Sequence, residues 1–142
     1  MKPALFSILI TCLLLCACSK KNATPEIPLD EKVAADSTAT PLFTGTFMNG
    51  PHGTVSGSAS IYNQNGNYIL ALDSMHISNG PALHVYLSQE VQPVHFIDLG
   101  SLKSTRGSQL YPVPAMPDFK LYTYALVHCQ QYNHLFGSAA LK

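Results

Sequence analysis

The sequence contains no tryptophan and little charge, with eight Lys or Arg against eight Asp or Glu and a formal net charge of +0 at pH 7. It has no basic stripe to track phosphates, which argues against a nucleic-acid partner. Cysteine is scarce too, at four residues. No C-x-x-C-H occurs, so covalent c-type haem is excluded, and no second cysteine stands at finger-like spacing for zinc. The six histidines show no H-x-H or H-x3-H spacing, and no G-x-S-x-G elbow marks a hydrolase. Helical periodicity is missing from about Phe43 onward.

What is present begins at the N-terminus. Met1-Lys2 is a short basic start, and Ala4–Leu15, "ALFSILITCLLL", is an apolar run too short to span a bilayer, as in a secretory signal. The following "LCAC", Leu15 to Cys18, resembles the bacterial lipobox, with Ala17 as the small residue before the lipidated cysteine. That resemblance implies a signal peptide over residues 1–17 and a mature chain starting at an acylated Cys18. The expectation is a lipoprotein of the bacterial cell envelope. It would be anchored in a membrane through Cys18, on the outer membrane facing the periplasm or the cell surface, and two or more acyl chains would make the anchorage stable.

Cysteine arithmetic follows. Cys12 and Cys16 leave with the signal, Cys18 carries lipid, and Cys129 stands alone, so no disulfide supports the fold. Loss of Lys2 leaves a net charge of about −1. Residues 18–42 hold the lipidated cysteine and a stretch rich in Ala, Thr, Pro and Asp with few large apolar side chains. It reads as a flexible tether, and a coil of ~23 residues has an r.m.s. span of roughly 25–30 Å.

Residues 43–142 have the size of one domain and the punctuation of an all-β fold, a single small antiparallel β-sandwich or barrel-like domain. "TVSGSASIYN" alternates, placing Val55, Gly57, Ala59 and Ile61 on one face. Asn65-Gly66 is a strong hairpin signal before "YILALDSMHI". Ser78–Pro81 is a turn, after which "ALHVYLS" sets Leu83, Val85 and Leu87 opposite His84 and Tyr86. "VHFIDLG", "SQLYPV", "KLYTYALVHC" and "GSAAL" complete the strands, while "PVPAMPDF" has too many prolines for a central one.

In "LYTYALVHC", period two places Leu121, Thr123, Ala125, Val127 and Cys129 on one face, and Tyr122, Tyr124, Leu126 and His128 on the other. Cys129 therefore continues a core-like face, and free cysteine is among the most buried residue types. A reactive thiol would instead need exposure and tuning toward thiolate. His128, on the opposite face, does not share a metal with it. Cys129-x4-His134 resembles the ligand loop of cupredoxins, but no methionine follows His134, which argues against type-one copper. Non-covalent haem with a thiolate or imidazole axial ligand stays open. His52 sits in a glycine-rich turn, His76 and His95 lie in strand patterns, and Asp73, Asp98 and Asp118 are scattered.

Taken together, "FTGTF…HGTVSGSASIY", "YILALDSMHISNGPALHVYLS", "FIDLGSLKSTRGSQLYPVP" and "YALVHCQQYNHLFGSAAL" resemble the DM-thirteen domain over about Gly45 to Leu141. This small β domain often accompanies DOMON domains, and electron transfer is ascribed to it. The resemblance implies that Cys129 is the family's cysteine, acting as a redox thiol or as a ligand for haem or a metal ion, with His84 and His134 as candidate partner ligands. It also implies a redox partner protein. Asn79, Gly80, Pro81, Leu83, Val85, Leu87, Gly100, Gly107, Tyr111 and Gly137 match framework positions. Ala82 stands where the family commonly has Asp, and Met75 and His76 where it has an aromatic. The rival reading is a non-catalytic envelope interaction or structural module with Cys129 as a core residue. An electron-transfer or binding module fits better than a classical enzyme, since no acid–base constellation is visible in the sequence.

Overall fold

The structure, a computed structural model, describes residues 23–33 and 40–142. Cys18 and the expected signal peptide lie outside them. Every regular element among the described residues is a strand: β1 (Leu29–Asp30), β2 (Phe43–Asn49), β3 (Val55–Gln64), β4 (Asn67–Ile77), β5 (Leu83–Ser88), β6 (Phe96–Ser101), β7 (Arg106–Val113), β8 (Tyr124–Cys129) and β9 (His134–Ala140). They form one curled sheet in the order β1-β7-β4-β3-β2-β9-β8-β5-β6. The all-β expectation holds, in the form of a half-barrel.

Alternation explains the curl. Val55, Ala59 and Ile61 on β3, Leu70 and Leu72 on β4, Leu83, Val85 and Leu87 on β5, and Ala125, Val127 and Cys129 on β8 share one buried cluster on the concave side. At β2 the sheet turns. Its first half, Phe43 to Thr46, pairs with β3, and its second, Phe47 to Asn49, pairs with β9. One strand thus serves both halves of the sheet, and the inner faces close over a common core. At Asn65-Gly66 both residues have positive φ, 53° and 89°, as the tight turn between β3 and β4 requires.

Three expectations are corrected by the structure. β2 and β1 were not among the strands read from the sequence. The long strand expected from Lys120 begins only at Tyr124, and Leu121, assigned to the core face, is 55 % exposed. The third concerns the supposed tether. Residues 23–33 lie along the sheet as a strap, with Leu29 and Asp30 paired parallel to Gly107 and Ser108 of β7 and Ala23 bridged to Pro81. Asn79 holds the strap from both sides, accepting from the Thr24 N–H at 3.2 Å and donating to the Thr24 carbonyl at 3.1 Å. The Glu31 carboxylate accepts from Lys103 Nζ and from the Leu110 N–H, each at 2.7 Å. These contacts hold the Glu31 carboxyl below its ordinary pKa.

Candidate functional site

Cys129 closes β8, where β8 runs antiparallel to β5 in register Leu83↔Cys129 and to β9 in register Cys129↔His134. Its thiol points inward, as period two predicts, and the residue is 1 % exposed. The Sγ donates to the Pro81 carbonyl at 3.0 Å. The Asn79–Ala82 turn therefore sits over the sulfur, and the Gln130 N–H donates to the Ala82 carbonyl at 3.0 Å to tie that turn to the end of β8. Gly80 is required there by contact, because a Cβ at that position would run into the Phe136 ring. As it stands, Cys129 is a packed, enclosed side chain.

The two imidazoles expected as its partners each make other contacts. His84 faces outward from β5, on the side of the sheet opposite the thiol, with its Nδ1 3.0 Å from both carboxylate oxygens of Asp98. His134 is the cross-strand partner of Cys129, but its ring stacks on His52, with centroids 3.7 Å apart and planes 5° apart. Among the described residues no group of three or more His, Cys, Asp or Glu is placed to hold a metal ion.

The outer face of β5, β6 and β8 carries a second, smaller cluster that the sequence did not announce. Tyr86, Leu126 and Leu135 are buried there. The Tyr86 ring lies between Phe96, at a centroid distance of 4.3 Å, and His128, at 5.2 Å. Burial, followed by the charge of Asp98, raises the Tyr86 pKa, so its phenol stays protonated. His128 is 3 % exposed, and neither ring nitrogen has a hydrogen-bond partner among the described residues. Burial lowers its pKa; Asn133 opposes this without closing a bond of good geometry, and His134 and His84 add to the lowering. Alternation gave the face of His128 but not its burial, because the Phe96 and Leu135 side chains that help cover this face come from other strands.

Residues 46–141 match the family model described as "Electron transfer DM13". No curated protein and no solved structure matches the chain.

Proposed function

The chain belongs to the electron transfer DM13 family, and from that membership we propose a redox module of the bacterial cell envelope, anchored by lipid on Cys18, in which Cys129 exchanges electrons with a partner protein. The observation that carries the reading is the Cys129 Sγ bonded to the Pro81 carbonyl, which joins the one thiol among the described residues to the Asn79-Gly80-Pro81 turn. Movement of that turn uncovers the sulfur. Cys129 then loses its proton to solvent and attacks a partner disulfide, forming one S–S bond and releasing one partner thiolate. A thiol of a second, dithiol partner then attacks the Cys129 sulfur and releases the first partner as its dithiol; the second partner's other thiol resolves the new mixed disulfide, so that partner leaves oxidised and Cys129 is restored.

Haem or metal ligation by Cys129 fits these residues poorly. The sulfur is enclosed and committed to a carbonyl, His84 is on the other face, and His134 is stacked on His52. A second reading is favoured by the 1 % exposure of Cys129 and its place in the main core: a non-catalytic envelope interaction or structural module in which the thiol fills space.

An uncharged disulfide probe, 4,4′-dithiodipyridine, separates the two. The redox reading expects Cys129 to react in the native protein faster than the protein unfolds, with a rate that climbs as pH rises. A thiol that stays inert until denaturant is added leaves only the core role.

A further inference from the structure

The carboxylate of Asp98 is held more firmly than a solvated surface acid. Its Oδ1 accepts from the Gly100 N–H at 2.8 Å and its Oδ2 from Gln130 Nε2 at 3.4 Å, while both oxygens lie 3.0 Å from His84 Nδ1. A carboxylate at Nδ1 fixes the imidazole proton on that nitrogen and leaves the Nε2 lone pair free. That nitrogen lies 3.4 Å from Ser101 Oγ, on the neighbouring strand in register His84↔Ser101. Acid, base and hydroxyl are thus chained in the order used by an activated serine nucleophile. The 3.4 Å contact is of the length such bonds have before substrate draws them in.

The constellation opens on a cleft of about 270 Å³, which His84 and Ser101 line together with Ala23, Thr24, Pro25, Ala82, Leu83 and Leu102. Its walls beyond the polar pair are mostly apolar and suit a short acyl chain. One wall is the strap. Ala23 and Pro25 precede residue 46, where the family match begins, so this wall of the cleft is supplied by residues outside the matched domain.

We propose that Ser101, His84 and Asp98 form an acyl-transfer site that takes small carboxylic esters. Ser101 Oγ bonds to the ester carbonyl carbon while its proton passes to His84 Nε2. The carbon–oxygen bond to the alcohol breaks, and the alcohol departs with that proton. Water then attacks the acyl-serine in the same way, His84 again carrying the proton, and the carboxylic acid leaves with Ser101 restored. Asp98 is a positioning residue that steadies the imidazolium. No oxidant, reductant or metal is needed. The site uses neither Cys129 nor the Pro81 turn and goes beyond the redox reading.

The test is to treat the full chain with an alkyl fluorophosphonate, map the adduct by peptide mass spectrometry, and follow p-nitrophenyl acetate turnover. The expected result is one adduct, on Ser101, together with turnover that Ser101→Ala and His84→Gln each lower by about 10²-fold, within the range that general-base catalysis supplies. Asp98→Asn should lower kcat with KM unchanged, a split that a loosened fold would not give. Ser101 is exposed, so Ser101→Ala should melt with the parent protein and remain interpretable. Absence of a Ser101 adduct, an adduct spread over several serines, or equal turnover by parent and Ser101→Ala would each overturn the proposal. Equal turnover would mean simple catalysis by a surface imidazole.

Discussion

His128 buries both ring nitrogens without a partner among the described residues, and burial lowers its pKa from the ordinary 6.5. The sign of the consequence is fixed by linkage. Below 6.5 the unfolded chain takes up a proton that the folded imidazole resists, so this contribution to stability is whole above 6.5 and is lost as pH falls through the lowered native value. His128→Phe should flatten that dependence, keep a ring against Tyr86, and gain about 1 kcal/mol at pH 8 by removing unsatisfied polar atoms. Urea melts at several pH values check it; an unchanged slope between parent and variant would show that the titrating group is another. At this scale the sequence is informative about side and silent about company. Period two sets Cys129 inward and His84 outward without help. The chain Asp98–His84–Ser101 is invisible, since its members are 14 and 17 positions apart and meet only through a pairing whose register shifts between His84 and Tyr86.

Among the elements, the strands legible in advance are those with long alternation and sharp turns, such as β3 and β4 around Asn65-Gly66. β1 is two residues long, too short for any period to show, and it exists because its neighbours admit it. The decisive neighbour is Gly107. Its φ is +88°, and a Cβ there would strike the backbone of Leu29. The resemblance marks Gly107 as a framework position, but its reason, the close approach of the strap, appears only in the fold. Gly107→Ala should therefore strain β7 and expel β1 together, costing about 1–3 kcal/mol for the φ alone. Amide hydrogen exchange would report it as lost protection at Glu31 and Leu110, whose groups bond across the strap, with β8 and β9 little changed. Retained protection at Glu31 would show that the strap tolerates the side chain.

The strap also changes what the whole molecule does with its N-terminus. Read as a coil, residues 18–42 would hold the domain well clear of a membrane. In the structure Ala23 is already bridged to Pro81, so only residues 19–22 separate Cys18 from the fold, and the five steps from Cys18 to Ala23 reach at most about 18 Å. If Cys18 carries the proposed lipid, the Pro81 end, with Cys129 and the His84 cleft, would stay near the headgroups. The Asn65-Gly66 turn lies at the far end of β4, which at ~3.3 Å a residue is roughly 30 Å long. The orientation can be measured on the lipidated protein in vesicles, with a donor fluorophore at Gln131→Cys or Asn65→Cys, each in a Cys129→Ala background, and an acceptor on the headgroups. Transfer should be several-fold stronger from position 131, beside the turn that bonds Ala82, than from position 65. Equal transfer would mean that the domain tumbles on a long leash and that the strap lets go at the membrane. A partner reaching Cys129 or an ester reaching Ser101 would, in the oriented case, approach along the bilayer surface. That geometry favours membrane-held partners and substrates over those diffusing in bulk, since confinement to one surface raises their effective concentration at the site.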